Sequence, residues 1–564
     1  YKRQIHKMSK FKFEYSKPEK IDLAVLGKQS DKNNENYHPF EISELQLYNP
    51  LYNHFFTMTP NNYNSISLKS KFFIENLCYV KNENKESISK NVFIKFSPLL
   101  DPYRYMIGKY DVNDSAIRTL PSLTSTNEEV HPKLLNHNNA SYIDTFFCYL
   151  TSVVLDKHNI VHGLDYYGSY LGIQKKFRIN VADDLEYLRQ SDYFNEQIGK
   201  LFYIDDPENV FSPFTSLSNS RKNKEKLLLE NDDILLECDE LPEISSDIID
   251  HATELETIYQ KPSRSESSAS INSDSSESDV NYSSDEDEDE DEEEEEDENT
   301  SEEESEEDSS EESEEEELFG FIHNFPIQMI CMEKCDGTLD ELFVNEEIDI
   351  ENGASALMQV VLTLLIYQKM FKFTHNDLHT NNIMYVETNE PHLYYQYNNV
   401  QYKVPTYGKI YKIIDFGRAI FKINGKVLCS DSFSKEGDAS SQYNCEPFFN
   451  KNKARLEPNK SFDLCRLACS LFDFIMDIDD EEDDLDDLQK TVKRWCLDDN
   501  GKNVLYKRNG QERYPSFKLY KMIARTVHDH TPENQLQYSI FKQFESTENH
   551  EKCMNIDSLP VYFK

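Results

Sequence analysis

Hydrophobic positions along this chain change their period about halfway. Residues 71–80 (KFFIENLCYV) and 91–96 (NVFIKF) are β-branched and aromatic runs parted by a polar Asn/Glu/Lys/Ser stretch, which predicts a hairpin in a small sheet. Residues 141–155 then place Ile143, Phe146, Phe147, Leu150, Val153 and Val154 at helical spacing behind Asn138 and Asn139 as caps. Strand character returns over 160–173 and again in 326–332 (PIQMICM). From Ala356 onward, apolar runs of helical length dominate, at 356–370, 464–475 and 517–527. The expected architecture is α+β, with a small β-rich half, a joining strand, a larger helical half and a loop-rich seam between them. Residues 1–60 have weak periodicity and read as an extension with one short element.

Composition changes the domain count. A chain of 564 residues would ordinarily hold three or four domains, but residues 274–317 carry 29 acids and no Lys or Arg, so this stretch cannot bury a core. Without them the formal charge of −46 falls to −17, from 76 acids against 59 bases. The remainder is still acidic and has no basic stripe, which argues against a nucleic-acid partner. As a flexible polyanion, the tract would attract a basic protein partner; its serines sit among acids. The plainer reading of the tract is a solvated insert.

Eleven scattered cysteines without a CxxC pair point to a reducing, cytoplasmic setting. Cys331 with Cys335, and Cys465 with Cys469, read as buried structural thiols, the alternative being a metal site if the two pairs meet. No signal-peptide pattern opens the chain, and its longest nearly apolar run, 356–367, is short for a bilayer, so no membrane partner is expected. The first residue is Tyr1, so the natural start is expected upstream or at Met8.

Polar chemistry concentrates in two places. Residues 373–385 (FTHNDLHTNNIMY) follow an apolar helix with His375, Asp377, His379 and Asn382 in one short loop. After a Tyr-rich hairpin insert, 412–419 (KIIDFGRA) reads as a buried strand delivering Asp415 into a glycine turn. Phosphoryl transfer needs a carboxylate to orient the attacking hydroxyl and oxygen ligands for Mg²⁺, and Asp377, Asn382 and Asp415 offer them.

These segments resemble the protein-kinase superfamily: HNDLHTNN is similar to the catalytic loop H-x-D-x-x-x-x-N, and IIDFG to the metal-binding D-F-G turn. The resemblance covers roughly 70–200 and 318–530. It implies a bilobal kinase-like fold, with an N-lobe and hinge at 61–335, interrupted by an insert at 205–317, and a C-lobe with a C-terminal extension at 336–564. It further implies a serine/threonine protein kinase that uses ATP and Mg²⁺ on a protein hydroxyl. Lys95 in VFIKF then resembles the lysine that holds the α- and β-phosphates. Asp144 is one candidate to pair with it, with another partner left open. Met332 would back the adenine pocket, Glu333 and Cys335 would offer hinge backbone groups, and His379 would reach the γ-phosphate. Asp463 in SFDLCRLACSLF would brace the catalytic loop, and His375 would be a satisfied core histidine beneath the D-F-G turn. The chain also resembles the divergent kinases of large cytoplasmic DNA viruses, which implies a host-cytoplasmic or virion location.

There are departures from that pattern. No G-x-G-x-x-G precedes Lys95, and 59–70 contain no glycine. Glycine lets backbone N–H groups approach phosphate closely. A kinase-like pseudoenzyme or scaffold therefore stands as an alternative. The H-x-D-L-H form of the loop leaves a small-molecule kinase as another.

Overall fold

The computed structural model of the chain describes residues 10–30, 37–182, 184–205, 318–476, 485–508, 510–548 and 550–564. All of them belong to one compact unit. The acidic tract at 274–317, and the 205–317 insert beyond Asp205, lie outside the described residues. The described part mixes α and β structure, as the periodicity predicts.

A five-stranded antiparallel sheet occupies the first half. In chain order this half has strand β1 (Ile42–Gln46), the short strands β2 (Phe72–Ile74), β3 (Tyr79–Asn82) and β4 (Ser87–Ser89), which form a separate three-stranded sheet, and β5 (Val92–Pro98). Helix α1 (Ala140–His158) follows, then the long strands β6 (Tyr166–Asn180) and β7 (Phe319–Glu333). The sheet runs β1-β6-β7-β5, with Phe202–Ile204 added to β7. Lys95 of β5 lies directly opposite Ile330 of β7.

The hairpin expected between 71–80 and 91–96 does not form. Asn76 breaks the first run: its Oδ1 accepts from the Cys78 N–H at 2.9 Å, and the Glu75 and Asn76 N–H groups both donate to the Tyr79 carbonyl. This side-chain turn folds the run back on itself. β2 and β3 therefore pair with each other and with β4, while β5 pairs with β7.

Residues 10–30 and 37–60 are also more integrated than an extension. β1 pairs with β6, Tyr15–Ser16 pairs with Ser67–Leu68, and Phe11, Leu51 and Tyr52 are buried in the core.

α1 starts where Asn139 caps it, its side chain accepting from the Ser141 N–H, and ends at Asn159 in the left-handed region. Every residue from Ser141 to Val154 is buried, so the helix runs through the interior. Phe147 shows its role: fully buried, it stacks on Phe373 at 4.2 Å and meets Phe416 at 4.9 Å. Burying one such ring contributes about 2–3 kcal/mol. Those contacts tie α1 to both polar segments of the second half.

That half is built around helix α2 (Ile350–Phe371), opened by a reciprocal cap between Asp349 and Asn352. At 22 residues α2 is longer than the 356–367 run and is apolar enough to cross a membrane, but 94% of its most apolar window is buried inside this protein. Strand β8 (Ile383–Glu387) follows, then the Tyr-rich hairpin β9 (His392–Tyr397) and β10 (Val400–Pro405), and β11 (Lys409–Ile413), which pairs with β8. Helices α3 (Phe462–Ile475) and α4 (Phe517–Thr526) complete the frame around the polar loop. The C-terminal residues close on the hairpin: Glu545–Ser546 pairs with β10 and Met554–Asn555 with β9.

Candidate functional site

Lys95 projects from β5 to two carboxylates. Its Nζ lies 2.8 Å from Asp144 Oδ2 on α1 and 2.8 Å from Asp415 Oδ1. The partner left open by the sequence is therefore double. Asp415 is held in the left-handed region at φ +59°, and the next residue, Phe416, donates its N–H to Asp144 Oδ1 at 2.9 Å. Asp144 thus links the lysine, α1 and the glycine turn.

The two carboxylates are not equivalent. The Asp144 side chain is 4% exposed and that of Asp415 is 44% exposed. Burial raises the Asp144 pKa against the pull of Lys95. For Asp415 burial acts the same way, but Lys95 outweighs it and brings the carboxyl down to about 2. Lys95 itself is pushed up: burial disfavours its charge, and Asp144 and Asp415 more than compensate. Asp144 is a buried strut, and Asp415 is the anion open to a ligand.

The polar loop after α2 is held from behind by Asp463, fully buried in the first turn of α3. Its carboxylate accepts from the His375 N–H at 2.9 and 3.1 Å and from the Asn376 N–H at 2.9 Å. Charge-assisted bonds of this kind are worth about 1.5–3 kcal/mol each. Asn376 sits at φ +65°; its Nδ2 donates to the Arg418 carbonyl at 2.9 Å, and its Oδ1 accepts from Tyr443 at 2.9 Å. His375 is buried, with Nε2 2.8 Å from the Ile414 carbonyl and its ring beside Phe416.

Asp377 follows in the loop. Its Oδ1 accepts from the Tyr520 hydroxyl of α4 at 2.8 Å, and its Oδ2 lies 3.7 Å from Arg418 Nε. Arg466 of α3 donates from Nε to the same Tyr520 oxygen at 2.9 Å. Burial pushes the Asp377 carboxyl up, but Arg418, Arg466, His379 and the Tyr520 hydrogen bond outweigh it, so its pKa falls below the ordinary value. Burial raises the Tyr520 phenol, which keeps it protonated and able to donate.

Asn382 donates from Nδ2 to the Asp377 carbonyl at 2.9 Å and to His379 Nε2 at 3.0 Å. Burial lowers the His379 pKa, so near neutrality the ring is uncharged and its Nε2 accepts. The structure thus directs His379 towards Asn382.

At the end of β7, Met332 and Cys335 are each 7% exposed. The Glu333 N–H donates to the Asp165 carbonyl at 2.9 Å. Its carboxylate accepts from the Asp165 N–H at 2.8 Å and from Lys412 Nζ at 2.5 Å. Its side chain is a crosslink between β7 and β11.

Among the described residues, no group of three or more His, Cys, Asp or Glu is placed to hold a metal ion. The Ile414 N–H donates to the Asn382 carbonyl at 3.0 Å, which brings the Asp415 turn beside the loop bearing Asn382. A cavity of about 710 Å³ lies elsewhere, lined by residues 13–22, 69, 73–75, 81–83 and 85, and includes none of these side chains.

Sequence reasoning passed over Tyr520, Arg418 and Arg466. Arg418 directly follows the D-F-G triplet, and Phe517 with Tyr520 form an aromatic pair three residues apart on α4. Those were the available signals.

No family model matches the chain. A stretch of 112 residues is 34% identical to uncharacterized protein 098R of Invertebrate iridescent virus 6, covering 18% of this chain and 19% of that protein. The match thus spans about a fifth of the length of that relative, and the likeness is to a viral protein.

Proposed function

We propose that this chain is an ATP-dependent phosphotransferase with a bilobal, protein-kinase-like architecture, which moves the γ-phosphoryl group to a Ser or Thr hydroxyl of a protein. The observation that carries the reading is the joining of two distant polar segments: Lys95 is ion-paired to Asp144 and Asp415 at 2.8 Å, and Asp415 adjoins the loop bearing Asp377 and Asn382.

In this reading ATP with Mg²⁺ supplies the phosphoryl group and neutralises the charge that develops on it. The protein's share is positioning and proton handling. Lys95, with Asp144 as a fixed counter-charge, presents its ammonium to phosphate oxygens. Asp415 and the Asn382 side-chain oxygen are the metal ligands. Asp377, kept ionised at neutral pH, accepts the hydrogen bond of the acceptor hydroxyl and takes its proton. Asp463 keeps the loop backbone in register.

Two observations favour a second reading, a kinase-like scaffold without turnover: no glycine occurs in 59–70, and the Asp377 carboxylate already accepts a hydrogen bond from Tyr520.

Transfer of labelled phosphate from ATP to protein acceptors, with Asp377→Asn as control, separates the two. Loss of a positioned base costs about 10²–10⁴-fold, so the variant should lose nearly all transfer while still binding nucleotide. Nucleotide binding with no transfer by the wild-type chain would favour the scaffold.

A further inference from the structure

The hydrogen bond from Tyr520 to Asp377 has the geometry of a substrate contact. A general base works on a hydroxyl held within about 2.6–3.2 Å of one of its oxygens. The Tyr520 hydroxyl stands 2.8 Å from Asp377 Oδ1 and donates to it. The other carboxylate oxygen, Oδ2, faces Arg418 Nε at 3.7 Å, and the Asp377 side chain is 28% exposed. A hydroxyl that reaches Asp377 from solvent therefore meets one that belongs to the chain itself.

The phenol is held by its ring as well as by its hydroxyl. Phe517, one turn earlier on α4, stacks on it with centroids 5.3 Å apart and planes at 8°. Two guanidinium groups lie over the ring, Arg466 at 5.2 Å and Arg418 at 5.9 Å, and Arg466 Nε also donates to the phenol oxygen. The helix is anchored through Leu519 and Ile523, which are 2% and 0% exposed. Tyr520 between them is only partly buried. Its ring can leave Asp377 by rotating about the side-chain torsions while α4 stays in place.

A further observation concerns Arg418. Its Nη1 is buried and has no hydrogen-bond partner among the described residues. Buried donors are normally paired, so this group is available to an oxygen of a molecule arriving beside Asp377.

We propose that Tyr520 is an internal occupant of the acceptor site: its hydroxyl takes the place of the substrate Ser or Thr hydroxyl on Asp377, and phosphoryl transfer begins only after an acceptor displaces it. The inference rests on the phosphotransferase reading and adds regulation to it. The contact that favours a scaffold then becomes the closed resting state of an active enzyme. Once the ring has turned away, the acceptor hydroxyl gives its proton to Asp377 as its oxygen bonds to the γ-phosphorus, and the bond from that phosphorus to the ADP oxygen breaks. Tyr520 takes no part in that step.

The test compares the full chain with Tyr520→Phe, which keeps the stacked ring and removes only the hydroxyl, at a pH above the acid limb of both proteins. Initial rates of phosphate transfer from ATP are measured over a range of dephosphorylated casein concentrations, and ADP release is measured without any protein acceptor. A hydrogen bond to a charged group changes an equilibrium by a factor of about ten or more. The variant should therefore lower KM for casein about tenfold, with kcat and the KM for ATP little changed. It should also release ADP faster by a similar factor, because water then reaches Asp377. Phe517→Ala, which loosens the ring and leaves these polar groups in place, should move the casein KM in the same direction by less. Unfolding cannot produce gains of this kind. A lower kcat in Tyr520→Phe with KM unchanged would mean that Tyr520 only positions Asp377; that result, or equal KM values, would overturn the proposal and leave the phosphotransferase reading intact. ATP binding by both proteins with transfer by neither would remove the phosphotransferase reading, and the proposal with it.

Discussion

Asp144 and Asp415 share one lysine, and their environments separate them: one is buried on α1, the other opens to solvent. The same contrast governs Asp377, whose ionisation depends on neighbours more than on its own burial. Its pKa is depressed, so the ionised form needed of a base is present above that pKa and is lost as pH falls through it. Removing a stabilising neighbour must raise the pKa and move the acid limb of activity to higher pH. Arg418→Gln should shift the limb further than Tyr520→Phe, because Arg418 is the leading charge acting on Asp377 and Tyr520 the smallest contributor. A pH–rate profile of kcat/KM for each variant checks the order. Identical acid limbs in all three proteins would remove Asp377 from the rate-governing ionisation.

At the scale of elements, the loop bearing Asp377 begins where α2 ends. That end is made by Lys372, a residue with a Cβ held at φ +52°. The left-handed region costs such a residue about 1–2 kcal/mol and costs glycine almost nothing. Lys372→Gly should therefore stabilise the fold by about 1 kcal/mol, raising Tm by roughly 1–2 °C. A scanning-calorimetry comparison decides it, and a lower Tm would mean that the Lys372 contact with the Phe563 ring outweighs the relief of backbone strain. β2 and β3 teach a related lesson. Their composition favours strands over the whole of 71–80, yet one asparagine side chain redirects the run and changes which strands meet.

Across the whole molecule, the C-terminal residues act as part of the core of the second half. Met554, Ile556, Leu559 and Tyr562 are each no more than 8% exposed, and the Tyr562 N–H donates to the Met370 carbonyl at 2.9 Å. At about 1.5–3 kcal/mol for each buried side chain, these four rival the 5–15 kcal/mol that holds a typical domain together. Deleting residues 545–564 should leave the β9–β10 hairpin without its outer strands. Limited proteolysis should then cut within 388–408 in the truncated chain and spare that region in the intact one. Equal resistance would show that the hairpin is held by α2 alone.

Local pattern was enough to locate the long elements: α1, α2, α3 and α4 follow apolar periodicity, and the loop bearing Asp377 and the turn bearing Asp415 declare themselves by dense polar groups beside apolar runs. Lys95, Asp144 and Asp463 were singled out by the resemblance of their segments to a known family and not by local pattern, since 368 residues separate the first from the last. What sequence could not decide was partnership. Strand pairing depends on which edges meet, so β5 joined β7 rather than its neighbour in the chain. The second carboxylate on Lys95, the placement of Tyr520 and Arg466 around Asp377, and the use of Glu333 as a crosslink to Lys412 all arise between segments remote in sequence. Periodicity reports the face a residue turns to the core. Only the packed chain decides which charged group waits there, because that depends on the relative placement of whole elements.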